Sequence, residues 1–241
     1  MDNFEKRIKS FLHNWMKKLA ISVIIVVLNG EKYLKSAIDS VINQSHQPDE
    51  IIVVDGNSTD ETAVIAKSFM QVTYIKQSGT GLANARNNGI DFATGDLIAF
   101  LDSDDLWTEN KLKIQLEHFT NDPEIEYSYG RLKLFIKPGG TEPRTGYTQS
   151  SFLEPMHGRT PGTLIVRKSL FKNIGKFRTE YKIGCDFEWF TRVKNLKVPF
   201  AFVPETILLK RVHNSNLSND VETNRNEILK IVRQSLHYQR Q

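Results

Sequence analysis

The sequence has a single cysteine, Cys185, so no disulfide can close within the chain. That suits a reducing compartment. It also lacks an uninterrupted apolar run of the roughly 20 residues that a membrane-spanning helix needs. The nearest approach is Ala20–Leu28, which follows Lys17 and Lys18 in the manner of a secretory leader. Its β-branched residues, its end at Asn29-Gly30 and the want of a small-x-small cleavage site make it a buried strand instead. Charge of one sign is scarce: 32 basic against 28 acidic residues leave a net +4, a small excess for a nucleic-acid binder. There is no internal repeat and no low-complexity linker. A Walker loop, His-Glu-x-x-His, Gly-x-Ser-x-Gly and paired-cysteine zinc spacings are all missing, so the chemistries they carry have no foothold here.

What is present is an ordinary globular composition, 39% hydrophobic and 25% charged, in a chain of 241 residues that can bury a core without staples. The first half alternates strand-like and helix-like segments. Strands are expected at Ser22–Leu28, Glu50–Val54, Val72–Lys76 and Asp96–Leu101. Helices are expected at Glu31–Asn43 with Asn29 as its cap, from the Ser58/Glu61 capping box to Phe69, at Leu82–Ala93 and at Thr108–Phe119. That order implies an α/β fold whose mostly parallel sheet carries helices on both faces. The second half reads less regularly: strands at Glu126–Ile136, Leu164–Val166 and Phe200–Val203, a turn at Gly139-Gly140, and helices at Asp186–Asn195 and Glu222–Tyr238. In a parallel sheet ligands gather beyond the carboxyl ends of the strands. The loops there begin at Asn29, Asp55, Gln77 and Asp102.

The densest chemistry is Leu101-Asp102-Ser103-Asp104-Asp105. Three carboxylates in four residues repel one another, and a cation relieves that cost. Hard cations take carboxylates together with substrate phosphate oxygens; equally, such a loop can cap the following helix. Asp55 leaves a buried strand, where it can accept an imide N–H from a nucleobase or bond its own turn. Gly79-Thr80-Gly81 stands between a strand and a helix, but Asn84 replaces the third glycine of a dinucleotide fingerprint and the first strand does not precede it. Arg86 and Asn87, just beyond, are candidates to face a nucleotide. Cys185 reads as a small buried residue, and His213 follows a strand, where a lone histidine is usually structural.

Taken together, these segments resemble glycosyltransferase family 2, an inverting family with the GT-A fold, from Ile21 to about Ser218. The residues that carry the likeness are Ser22-Val23-Ile24-Ile25 with Asn29, Asp55-Gly56-Asn57-Ser58-Thr59-Asp60, Ala85-Arg86-Asn87-x-Gly89, Leu101-Asp102-Ser103-Asp104-Asp105, Gly175-Lys176-Phe177 with Asp186, and Arg211-x-His213. The chain departs from the family at Val26 and Leu28, where proline and tyrosine are usual, at Gly56, often a second aspartate, and at Cys185, commonly a glutamate.

The resemblance implies a single displacement at a sugar's anomeric carbon, with Asp186 as general base. It implies a nucleotide-diphosphate sugar, UDP-linked by preference, held by Asn29, Asp55, Arg86, Asp102 and Ser103. Mn²⁺ or Mg²⁺ would sit on Asp104 and Asp102, with His213 as a further ligand. Trp107, Glu188 and Arg211 would line the acceptor side, for a saccharide or lipid-linked acceptor in envelope polysaccharide or glycolipid assembly. Two rival readings are a sugar-nucleotide nucleotidyltransferase and a non-catalytic, membrane-tethered nucleotide-binding protein.

Three parts are expected: an amphipathic helix over 1–19, the catalytic domain over 20–218 and a terminal helix over 219–241. In the first, Phe4, Ile8, Phe11, Leu12, Trp15, Met16 and Leu19 recur at helical spacing with basic residues between. That pattern predicts a helix that rests on the inner face of the cytoplasmic membrane, or docks on the domain or a second subunit. The expected location is therefore the cytoplasm, at or near that face, with no nucleic acid as partner.

Overall fold

The computed structural model describes residues 18–136, 150–214 and 216–238. The amphipathic stretch before Lys18 and the Gly139-Gly140 turn lie outside the described residues. Nine strands form one sheet: β1 (Ile21–Val27), β2 (Glu50–Asp55), β3 (Val72–Lys76), β4 (Leu97–Asp102), β5 (Leu106–Trp107), β6 (Tyr127–Phe135), β7 (Met156–His157), β8 (Ile165–Arg167) and β9 (Phe200–Arg211). The helices are α1 (Leu34–Ile42), α2 (Thr62–Lys67), α3 (Leu82–Phe92), α4 (Lys111–Asn121), α5 (Ser150–Leu153), α6 (Lys168–Ile174), α7 (Cys185–Asn195) and α8 (Val221–Tyr238).

The strand order is β3-β2-β1-β4-β8-β6-β9-β5, with β7 paired to β6. Strands β1 to β4 run parallel. Short β8 runs antiparallel to both β4 and β6, so β6 returns to the direction of β4. β9 then pairs with β6 in parallel from Phe200 to Arg211, with register shifts between Val203 and Leu208. The carboxyl ends of β1, β2, β4, β6 and β9 therefore share one edge of the sheet.

All seven residues of β1 are buried, which is why that segment reads as an unbroken apolar run. Ile21, Val23, Ile25 and Val27 pack on one face with Leu34, Ala37, Ile38 and Val41 of α1. Ile24 and Val26 pack on the other with Ala83, Ala85 and Ile90 of α3. Each such side chain contributes about 1.5–3 kcal/mol on full burial. Gly89 sets how near α3 lies to β1: a Cβ there would stand 2.5 Å from Ile24 Cγ2.

Three local expectations are corrected. Asn29 does not cap α1, which begins at Leu34; Gly30 O receives the N–H groups of Tyr33 and Leu34 instead. Ser58 and Glu61 form no capping box, because α2 starts at Thr62 and Asp60 Oδ1 accepts the Thr62 N–H. The strand expected at Phe200–Val203 continues to Arg211, since its later half has β6 as a partner.

Candidate active site

The exits of β1 and β2 are laced together. Asn29 takes a left-handed φ of 51°, and its Oδ1 accepts the Thr59 N–H at 2.9 Å. Asn29 N donates to Ser58 Oγ at 2.8 Å, and Gly56 N to Val27 O at 2.8 Å. Asn57 is also left-handed, at φ 67°. Asparagine is the non-glycine residue best suited to that conformation. Asp55 is 1% exposed. Its Oδ1 accepts from Ser58 N and Ser58 Oγ, and its Oδ2 accepts from Tyr74 Oη at 2.7 Å. Burial and this carboxylate push the Tyr74 phenol up to about 12. The aspartate expected at a nucleobase is committed to its own turn, so a base would meet the turn it shapes.

At the exit of β4 the three carboxylates have three different environments. Asp102 is half-buried and accepts from Arg86 Nη2 at 2.9 Å. Arg86 neither lies on an exposed helix face nor opens freely to a ligand: it is 1% exposed under Phe177, with Nη1 3.5 Å from Cys185 Sγ. Burial disfavours its charge, but Asp102, together with Cys185 and Asp186, outweighs that and raises its pKa. Arg86 Nε has no hydrogen-bond partner among the described residues.

Asp105 is fully enclosed. Its Oδ1 accepts the Arg211 N–H at 2.8 Å, and its Oδ2 lies 3.6 Å from Lys210 Nζ. Burial, with Asp104 and Asp102 nearby, pushes its carboxyl up to about 7 against the pull of Lys210.

Asp104 is the carboxylate that reaches across to the second half of the chain. Its Oδ2 lies 2.9 Å from His213 Nε2 and accepts from Asn216 Nδ2 at 3.0 Å. Burial works against its ionisation, yet the His213 bond and Lys210 hold it below the usual range. Tyr33 lies over the His213 ring, with centroids 5.1 Å apart. Asn216 was not expected here; the polar run after His213 was the only signal for it. Ser103 is half-buried, its Oγ 3.4 Å from where a Cβ on Gly30 would stand.

The residues expected on the acceptor side have other work. Trp107 is 4% exposed, donates from Nε1 to Gly162 O at 2.8 Å and carries Lys111 over its ring. It is core because β5 pairs with β9. Glu188 is buried between Arg192, at 2.8 Å, and Arg178, at 3.3 Å. Arg211 is sandwiched between Tyr33 and Phe135 and donates from Nε to Asp104 O at 2.8 Å. It shapes the carboxylate loop from behind.

Asp186 stands in the first turn of α7, half-buried. Burial raises its pKa and Asp102 raises it further, against the opposing influence of Arg86, the Phe187 N–H and Lys210. Asp186 thus shares an electrostatic neighbourhood with Arg86 and Asp102, although Asp102 precedes it by more than eighty residues. Two contacts fix its approach. Asn87 clasps the backbone of Phe177, accepting its N–H at 3.1 Å and donating to its carbonyl at 2.8 Å. Glu227 of α8 accepts the N–H groups of Lys182, Ile183 and Gly184 at 2.7, 3.0 and 2.7 Å. Burial would raise the Glu227 pKa, but these three donors hold it low.

The profile described as Glycosyl transferase family 2 matches residues 22–179, from β1 through the carboxylate loop. The chain belongs to glycosyltransferase family 2. An uncharacterised glycosyltransferase of Rickettsia typhi is 33% identical to this chain over 213 residues, covering 83% of this chain and 66% of the relative. A putative teichuronic acid biosynthesis glycosyltransferase of Bacillus subtilis, TuaG, is 36% identical over 132 residues, 52% of this chain and 51% of the relative. Among solved structures, S. aureus TarS 1–349 in complex with UDP-GlcNAc matches with a TM-score of 0.65 at 23% identity, over 82% of this chain and 60% of that one. That likeness shows the GT-A fold. The chain thus spans less than two thirds of the length of these proteins. The family match ends before Asp186 and His213, so the reading of those two residues rests on geometry.

Proposed function

We propose that the chain moves a glycosyl group from a nucleoside-diphosphate sugar, UDP-linked by preference, to an acceptor hydroxyl with inversion. The observation that carries this reading is the meeting of Asp104 and His213 at the shared strand edge. One comes from the β4 exit and the other from the β9 exit, 2.9 Å apart. The carboxylate suits either Mn²⁺ or Mg²⁺ and the imidazole favours Mn²⁺, the softer of the two, with the remaining positions left for phosphate oxygens. Among the described residues no group of three His, Cys, Asp or Glu side chains makes a protein-only cage. Asp104 and His213 would hold that ion, and bound there it would offset the charge of the departing diphosphate.

The rest is done by side chains. The β1 and β2 exit turns, ordered by Asn29, Asp55 and Ser58, receive the nucleoside. Arg86 holds Asp102 in place beside the sugar. Asp186, with its raised pKa, takes the acceptor's proton as that oxygen bonds the anomeric carbon. The bond from that carbon to the diphosphate breaks in the same step, so the configuration inverts.

A polysaccharide or lipid-linked acceptor in envelope assembly is supported by the teichuronic acid relative. Among the described residues no helix is long and apolar enough to cross a membrane. Residues 4–19 are proposed as a peripheral contact with the inner membrane face, tested by liposome co-sedimentation of the chain with and without them.

The test of the main reading is binding of UDP, GDP, TDP and CDP with and without Mn²⁺, followed by nucleotide release from UDP-sugars. Tighter UDP binding with Mn²⁺ and slow hydrolysis of a UDP-sugar are expected. Metal-independent binding with no hydrolysis would overturn it.

A further inference from the structure

A second concave site lies at the opposite end of the sheet. A groove of about 540 Å³ opens where β6 and β9 begin, lined by Tyr127, Tyr129, Phe190, Phe200, Arg159 and Lys197, among others. That volume is in the range of small-ligand sites. Tyr127 pairs with Phe200 and Phe135 with Arg211 along the same two strands. At about 3.3 Å per residue the groove is about 25 Å of strand from the Asp104–His213 end.

We propose that this groove binds an anionic glycan, a saccharide chain bearing carboxylate or phosphodiester groups. Its floor is aromatic: Phe200 stacks on Tyr127 with centroids 5.4 Å apart, yet remains 49% exposed and presents an open face. Tyr127 and Tyr129 are each 4% exposed. Neither phenol has a hydrogen-bond partner among the described residues, and neither is sealed from solvent, so both hydroxyls open on the groove. Two unpaired hydroxyls beside an open ring suit a sugar, which offers an apolar face and a rim of hydroxyls.

The charges select the anion. Arg159, whose guanidinium stands over the Tyr129 ring, Lys194 and Lys197 line the groove, against one carboxylate, Asp122. None of the three cations has an ion-pair partner among the described residues. Guanidinium and ammonium groups make charge-assisted bonds to carboxylate and phosphate. Lys197 adopts φ 52°, the position after α7 where glycine is usual, so the lysine stands there at some conformational cost. A bilayer is too flat for such a concavity. A chain-like ligand could reach from the groove toward the catalytic edge.

The proposal rests on the reading of the protein as a transferase with a saccharide acceptor. Its test is therefore binding alone, with UDP affinity measured in parallel. The full chain is titrated by calorimetry with an oligogalacturonate, a glycerol-phosphate oligomer and neutral chitohexaose. Either or both anionic oligomers should bind, each weakening as salt is raised, and chitohexaose should bind at least tenfold less well. Phe200→Ala and Arg159→Gln should each weaken binding about fivefold or more with UDP affinity unchanged.

Lys197→Gly separates binding from folding: it should raise the melting temperature while weakening the oligomer. Three results would overturn the proposal: no anionic oligomer binding, equal binding of chitohexaose, or full binding by all three variants. Anionic vesicles that bind through these residues while oligomers do not would also overturn it, in favour of a lipid surface. Loss of UDP binding with oligomer binding intact would instead count against the catalytic reading.

Discussion

A carboxylate that takes a proton during bond formation must be ionised beforehand, so Asp186 should leave a mark on the pH profile. Its pKa is raised by burial, so turnover should begin to fall at a pH above the ordinary aspartate range as the medium is acidified. Asp186→Asn should lower turnover by about 10²–10⁴-fold and abolish that acidic limb, with Mn²⁺-dependent UDP binding kept. Glu188→Gln should behave differently. Glu188 is buried between two arginines, and losing a hydrogen bond to such a charged group typically costs about 1.5–3 kcal/mol. Its effect should appear in urea unfolding rather than in catalysis.

Asp104→Asn and His213→Ala should each remove the Mn²⁺ enhancement of UDP binding, with the double variant no worse than either single one; additive losses would show two independent sites. At this scale the sequence was legible where chemistry is crowded, at Asp102 to Asp105. It was misleading where a polar or aromatic side chain had a distant partner. Trp107 and Arg211 look available in a one-dimensional reading because Gly162 and Phe135 are far away in it, whereas Glu188 has Arg192 four residues on in its own helix.

Among the elements, α3 and α8 do more than cover the sheet. Gly89 lets α3 lie close on β1. Gly89→Ala would bring a methyl to 2.5 Å from Ile24 Cγ2 and should destabilise the fold by about 1–3 kcal/mol, read from the shift in denaturant midpoint at unchanged slope. α8 supplies Glu227 to the loop that carries Asp186. The folded pKa of Glu227 is depressed, so its contribution is present above the ordinary glutamate pKa of 4.5 and is lost as pH falls through the folded value. Glu227→Gln should therefore flatten the acid side of the stability profile and lower turnover without weakening UDP binding.

The alternation of β1 to β4 with their helices was readable because each element satisfies its own period. The extent of β9 was not readable. Beyond Val203 it has Pro204 and Glu205, which fall outside the register, and only at Thr206 does the pairing with β6 resume.

For the whole molecule, a buried amine gives a separate handle on pH. Lys111 is 0% exposed, donates to Gln115 Oε1 at 2.7 Å, and burial lowers its pKa well below 10.5. Between that lowered value and 10.5 the unfolded chain binds more protons than the folded one. Stability from this group accordingly rises as pH climbs through that window. Lys111→Met should flatten the rise between neutral pH and about pH 10, measured by denaturant unfolding; an unchanged slope would show that Lys111 is not its source.

The clasp of Asn87 on Phe177, one residue from the Arg86–Asp102 pair, has a consequence of its own. Neighbouring residues of one helix hold the carboxylate loop with one hand and the approach to Asp186 with the other, so α3 works as a caliper whose jaws are set by a single turn. By the same token, a one-residue insertion ahead of Arg86 in α3 would swing both jaws round by about 100° at once, and would turn Gly89 and Ile90 off the face that packs on β1.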